Sequence, residues 1–214
     1  MPTAREALLD AADSALSRLP WTAVRMVDVA AVAGVSRQTL YNEFGSKAGL
    51  ARALIRRAAD GYLAGVEQVL GASRATGDVP AELARWTVRA ARADALVEAL
   101  LTGVWGDRLP RPGDPPAGCR AGPAPPTPAE LLALVRDRAA VAVMGRRSRP
   151  QDRAELELAC ETALRLALSY TLVPADSGAQ CAEPDSCRPI TPMITSEMDT
   201  SLSAETRSPR KIIP

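Results

Sequence analysis

The 214-residue chain contains no histidine. That absence excludes imidazole general-base catalysis, Ser-His-Asp triads and His-ligated metals together. The four cysteines, Cys119, Cys160, Cys181 and Cys187, are scattered and form no C-x-x-C pair. Cys160 reads as a small buried apolar residue on a helix. A redox pair of Cys181 and Cys187 is conceivable, but thiols in the cytosol stay reduced. No apolar run is long enough to span a bilayer. The start of the chain is a polar, helix-starting sequence and not a charged-then-apolar leader, so a cytoplasmic protein is expected. Lysine is almost missing: arginine occurs 24 times and lysine only as Lys47 and Lys211. The net charge is only +1. The chain as a whole is therefore not a polybasic nucleic-acid binder, and any such contact must be a local patch. No metal constellation and no phosphate-cradling glycine loop is present. No cofactor or metal is expected, and an all-α enzyme is a poor reading.

What is present is helical. Ala, Leu, Arg and Val dominate, aromatics are sparse at 3%, and no long β-branched run appears. An all-α fold follows from those propensities. The length permits one large or two small domains. Thr3-Ala4-Arg5-Glu6 is a capping box that opens a first helix running to about Leu19, before Pro20. Trp21–Val24 is a connector, with Trp21 plugging a gap between helices. A second helix spans about Met26 to Ala33, and Val24, Val27, Val29, Ala30 and Val32 supply its apolar side. A long helix begins near Lys47 and keeps one apolar stripe through Leu50, Leu54, Ile55, Ala58, Tyr62, Val66 and Val69. Gly49, Gly61, Gly65 and Gly71 each weaken it by ~1 kcal/mol relative to Ala, and serve either bending or close packing. Another helix is expected from about Pro80 to about Trp105, with Leu83, Trp86, Val88, Leu96, Val97, Leu100, Leu101 and Val104 inward. Residues 109–127 are too rich in proline for a helix and read as an exposed, disordered loop. Thr127-Pro128-Ala129-Glu130 opens the next helix, to about Gly145. Arg146, Arg147 and Arg149 then suit a solvated helix end better than a second patch for DNA. Pro150 opens the last helix, to Val173, whose apolar face is wider than one core needs. From Pro174 the composition changes abruptly, and residues 174–214 read as a disordered tail.

The most informative stretch is Gly34 to Lys47. Gly34 can end one helix with positive φ, and Ser36 stands where an N-cap is wanted. Gly45 closes a short helix, and Ser46 can cap the next. Leu40 and Phe44 lie four apart and face inward. Arg37, Gln38, Thr39, Tyr41 and Asn42 face outward. An exposed tyrosine among Arg, Gln, Thr and Asn suits a surface that hydrogen-bonds phosphates and base edges. This is the pattern of a helix-turn-helix. Tyr41 has a core alternative, packed on the first helix, and Gln38 and Asn42 have an alternative as plain solvated residues. Lys47 sits in the first turn of a helix, where a cation is electrostatically unfavourable. A phosphate partner supplies a reason for it there. Arg25, Arg37, Lys47 and Arg52 must furnish much of the local attraction.

The run Val27-Asp28-Val29-Ala30-Ala31-Val32-Ala33-Gly34-Val35-Ser36-Arg37-Gln38-Thr39-Leu40-Tyr41-Asn42-Glu43-Phe44-Gly45-Ser46-Lys47-Ala48-Gly49-Leu50 resembles the signature of the TetR family of bacterial transcriptional regulators. The likeness is strong over about residues 3–60 and only architectural beyond. It implies a DNA-binding head over 1–48, with the long helix continuing to about 70, and a helical ligand-binding and dimerisation body over 49–173. It implies a homodimer through the last two helices, about 128–145 and 151–173, on a palindromic double-stranded DNA operator. Carried over by position, Thr39, Tyr41 and Lys47 contact DNA backbone or bases, and Arg37, Gln38 and Asn42 tune sequence choice; Arg25 and Ser36 complete the candidate site. The family often has an acidic residue shortly after Ser-Lys where Ala48-Gly49 stand here, so the long helix is expected to start less firmly. The expected role is a repressor released by a small apolar or amphipathic effector. Trp86, Leu100, Leu101, Val104, Trp105, Leu134 and Leu164 are candidate pocket residues, with plain core as the alternative. The rival role is a constitutive DNA-binding protein whose body only dimerises.

Overall fold

In the computed structural model the capping box sets the first helix. Thr3 Oγ1 accepts from the Glu6 N–H at 3.2 Å, and the Glu6 carboxylate accepts from the Thr3 N–H at 2.7 Å. Two orphan donors are thereby satisfied reciprocally. The structure describes residues 3–73, 78–113, 124–144 and 150–173, all within one compact unit. Among them run α1 (Ala4–Leu16), a 3-10 turn (Trp21–Ala23), α2 (Met26–Val32), α3 (Arg37–Phe44), α4 (Lys47–Ala72), α5 (Val79–Ala93), α6 (Ala95–Thr102), α7 (Pro128–Met144) and α8 (Pro150–Leu172). No strand occurs among the described residues, and no helix there is long and apolar enough to cross a membrane. The fold is all-α, an N-terminal helix-turn-helix followed by a helical body. The arginines at 146, 147 and 149, the core of the 109–127 loop (114–123) and the tail from 174 lie outside the described residues.

α4 is the spine. Leu50, Leu54, Ile55, Tyr62, Val66 and Leu70 are buried along it, as the apolar spacing requires. Around its first half pack α1 to α3 through Leu8, Ala12, Val29, Leu40 and Phe44. Its second half meets α5, α6 and α7, while α8 closes the body against α5 and α7. Cys160 is fully buried on α8, and burial pushes its thiol up to about 11, so it behaves as a core residue.

Four expectations change. α1 ends at Leu16, short of Leu19, because Arg18 and Leu19 both turn back to the Ala15 carbonyl. α2 is only seven residues long and buries Val29 and Ala30, while Val27 is 39% and Val32 74% exposed. A helix of two turns has room for little more than one inward position per turn. The single helix expected from Pro80 to Trp105 is two helices. Asp94 leaves the helical region (φ −140°, ψ 114°), ends α5, and accepts from the Leu96 N–H at 2.8 Å to cap α6. Gly103, at φ 75°, then ends α6, so Val104 is 63% exposed and Trp105 stands beyond the helix. Finally, the described ends of the proline-rich segment lie on α4: Arg52 donates to the Gly113 carbonyl at 2.8 Å and Arg56 to the Ala124 carbonyl at 3.4 Å.

Two of the α4 glycines serve close packing. A Cβ at Gly49 would stand 1.9 Å from the Phe44 carbonyl oxygen, and one at Gly65 2.0 Å from the Trp86 ring. A Cβ at Gly61 would meet nothing within 4 Å. The two kinds of glycine should respond with opposite sign in urea unfolding. Gly49→Ala is expected to destabilise by about 1–3 kcal/mol through overpacking. Gly61→Ala is expected to stabilise by ~1 kcal/mol through helix propensity.

Candidate nucleic-acid interface

The turn between α2 and α3 is built from backbone bonds and one hydroxyl. Gly34 takes φ 68°, and the Val35 N–H reaches back to the Ala30 carbonyl at 3.1 Å. Ser36, in extended backbone, caps α3: its Oγ accepts from the Thr39 N–H at 3.0 Å and shares a 2.8 Å hydrogen bond with Thr39 Oγ1. Leu40 and Phe44 are buried against the head, which fixes the rotation of α3. Arg37, Gln38, Tyr41 and Asn42 are consequently exposed on its outer side, with Thr39 half-buried. Tyr41 is 43% exposed, so it is not a core residue. Gln38 Nε2 donates to Asn42 Oδ1 at 2.9 Å. That pairing aligns two amides one turn apart and leaves the Gln38 oxygen and the Asn42 nitrogen for other partners. Arg5, on α1, was not singled out in the sequence. It lies 4.7 Å from the Phe44 ring centroid and donates to the Glu43 carbonyl at 3.3 Å, clamping the last turn of α3.

Lys47 is held more firmly than the sequence suggests. Ser46 Oγ accepts from the Gly49 N–H at 3.1 Å, so α4 is capped without the acidic residue. The contact of Gly49 with the Phe44 carbonyl leaves no room for a side chain there. Lys47 Nζ donates to the Thr22 carbonyl at 3.2 Å and lies 5.3 Å from the Trp21 ring centroid. Partial burial lowers its pKa from the ordinary lysine value. The Trp21–Ala23 turn is itself tied down, because the Trp21 N–H donates to the Arg108 carbonyl at 2.8 Å. The Trp21 ring packs half-buried against the core and also seats the lysine. Arg25 forms a two-point pair with Asp28, at 2.8 and 3.1 Å. Both side chains are well exposed, so a phosphate can compete for the guanidinium. Arg52, half-buried and bonded to Gly113, belongs to the body side of α4.

The candidate pocket residues line no common cavity among the described residues. Leu100, Leu101 and Leu164 are fully buried core, Val104 is exposed, Leu134 is 37% exposed, and Trp105 packs half-buried after α6. The helix break at Asp94 and the stop at Gly103 put Trp86, the pair Leu100 and Leu101, and the pair Val104 and Trp105 on three separate segments. Trp86 alone of the set lines a cavity between α1, α4, α5 and α6, of about 410 Å³. Its other polar residues, Asp13, Arg57 and Asp94, carried no signal in the sequence, because they meet only in three dimensions.

A short helix with a polar outer face, presented by a capped turn on a three-helix head, is a helix-turn-helix DNA-binding module. Residues 8–54 match the model of the bacterial regulatory proteins, tetR family, so the head is similar to that family's DNA-binding domain. A curated relative is the HTH-type transcriptional regulator AlkX of Mycobacterium tuberculosis (strain ATCC 25618 / H37Rv), 41% identical over 101 residues. The match covers 47% of this chain and 48% of that protein, so it spans about half the length of the relative. Among solved structures, the TetR family repressor AlkX from Dietzia sp. strain DQ12-45-1b, implicated in biodegradation of n-alkanes, aligns over 80% of this chain and 85% of its own. That alignment has 20% sequence identity and a TM-score of 0.44.

The α3 cap is testable apart from DNA. Ser36→Ala should cost about 1 kcal/mol in urea unfolding, and Ser36→Asp, another good N-cap, should retain most of it.

Proposed function

We propose that the protein is a ligand-responsive transcriptional repressor that binds a near-palindromic operator as a homodimer. The observation that carries this reading is the α3 surface: four polar side chains face outward, with Thr39 half-buried among them, beside a lysine seated by its own head. Thr39, Tyr41 and Lys47 hold phosphates, while Arg37, Gln38 and Asn42 reach base edges, and Arg25 and Ser36 border them. Carboxamides such as Gln38 and Asn42 suit adenine N6 and N7, and Arg37 suits guanine O6 and N7. At Lys47 the ammonium and the N-terminus of α4 act on one anion. A phosphate there also opposes the desolvation that lowers its pKa.

In this reading residues 1–48 are the DNA head and 49–173 the body. The body supports dimerisation by what it leaves uncovered. Val141 on α7 and Leu158, Leu166, Tyr170 and Leu172 on α8 are between 55% and 70% exposed. A monomer seldom leaves large apolar side chains grouped on adjoining helices without a partner. Two α3 helices on such a dimer must enter successive major grooves ~34 Å apart. An effector lowers DNA affinity only by its differential affinity for a dimer whose heads are spaced otherwise. The reading assigns no catalytic step and needs no cofactor.

Selection of bound DNA from a random pool should return an inverted repeat, and a pool without any enriched motif refutes the proposal. On the selected site Tyr41→Ala and Lys47→Ala should each weaken binding at every sequence, and Lys47→Ala should reduce the salt slope by ~1. Gln38→Ala or Asn42→Ala should instead relax base preference, at about 1–3 kcal/mol per lost contact. Gel shifts in which Tyr41→Ala and Lys47→Ala bind like the parent would sink the assignment. In sedimentation velocity, Leu166→Arg should convert a dimer to a monomer and take operator binding with it.

A further inference from the structure

We propose that the cavity between α1, α4, α5 and α6 is a binding site for an amphipathic organic cation, and that its occupant couples the body to the DNA head. The cavity, of about 410 Å³, is of ordinary small-molecule size. Its walls are apolar: Leu54, Gly61 and Tyr62 of α4, Trp86 of α5, and Leu96 of α6. The Tyr62 hydroxyl is already bonded to Thr87 Oγ1 at 2.9 Å, so that side chain offers only ring surface. The Trp86 indole N–H is buried and has no acceptor among the described residues. That nitrogen is closed off from the open space, so Trp86, like Tyr62, offers a ligand ring surface. Gly61 is an exposed residue of the lining with no atom within 4 Å of where a Cβ would be, so a larger side chain fits there without a clash.

The polar border has a surplus of negative charge. Arg57 bonds Asp10, lies 3.6 Å from Asp13, and also donates to the Leu9 carbonyl at 3.1 Å. Asp94 adds a third carboxylate, engaged only as the cap of α6. The cavity's own border thus carries two carboxylates, Asp13 and Asp94, against one guanidinium that is already bonded to Asp10 outside the lining. Burial, with Asp94 and Asp10 nearby, raises the Asp13 pKa despite the opposing Arg57. The carboxylates are short of positive partners, and aromatic faces behind them attract a cation further. An anion would meet the wrong charge, and a neutral apolar ligand would leave the surplus unanswered.

The location supplies the coupling, which rests on the DNA-binding reading above. Asp13 belongs to the head, whereas Trp86 and Leu96 belong to the body. A molecule bridging them binds one head orientation better than another, and the same differential must appear in DNA affinity.

The test uses the full chain without DNA first. Three probes of one shape are titrated by tryptophan fluorescence: 4-phenylbutylamine, 4-phenyl-1-butanol and 4-phenylbutyrate. The amine should bind at least tenfold more tightly than the alcohol, with the carboxylate weakest. Gly61→Leu, which fills open space on a helix, should abolish amine binding while keeping the melting temperature at or above that of the parent. Asp13→Asn should weaken the amine about tenfold and leave the alcohol within twofold; this surface change also keeps the test valid if Gly61→Leu loses its fold. Equal affinities across the three charges, no amine binding at millimolar concentration, or amine binding indifferent to both variants overturns the site. On selected DNA, the amine should change affinity for the parent and not for Gly61→Leu. Amine binding that leaves DNA affinity untouched overturns the coupling. Failure to select any DNA refutes the regulator reading and leaves the result of the amine titration standing by itself.

Discussion

The approach of α4 to the last carbonyl of α3 is the constraint on which the head depends. Gly49 lies so close over the Phe44 oxygen that no Cβ fits between them. That contact sets the angle between the recognition helix and the spine of the molecule. Once the angle is set, Ser46 can cap α4, Leu50 can enter the core beside Leu40, and Lys47 is carried to the Trp21–Ala23 turn. A glycine usually weakens a helix. Here its lack of a side chain makes the joint between two helices possible, and the long apolar stripe of α4 offsets the lost propensity.

Electrostatics in the head is a matter of placement and not of quantity. A chain with net charge +1 has no field to draw DNA from afar. Three of its cations are instead held in position: Arg25 by Asp28, Arg5 by Phe44 and Glu43, Lys47 by Thr22 and Trp21. Each ion pair is exposed and weak by itself. Under the proposed function, their value lies in lowering the number of side-chain conformations that contact with a phosphate would otherwise have to freeze.

Local chemistry was legible in the sequence, and three-dimensional meetings were not. The capping boxes at Thr3 and Thr127, the cap at Ser36 and the bounds of α3 all depend on residues within four positions of one another. The stripe of α4 is a periodicity and reads equally well. The break at Asp94 was missed because good helix formers flank it on both sides, and a single aspartate competes with the backbone only when the chain already turns there. That miss dispersed the supposed pocket, since Val104 and Trp105 were counted on a helix that ends at Thr102. Arg57 with Asp10 and Asp13, or Arg5 with Glu43, pair across gaps of about forty residues or more, and no spacing rule reports such pairs.

The bond from the Trp21 N–H to the Arg108 carbonyl joins main chain to main chain. Exchanging the side chain at either end removes no donor and no acceptor, except for proline at 21. An alanine scan would therefore pass over this link: Trp21→Ala removes the ring under Lys47 and leaves the main-chain bond in place. Among the described residues, this tie between the body and the lysine-bearing head is poorly placed to leave a trace in mutational data and well protected against being lost by chance substitution.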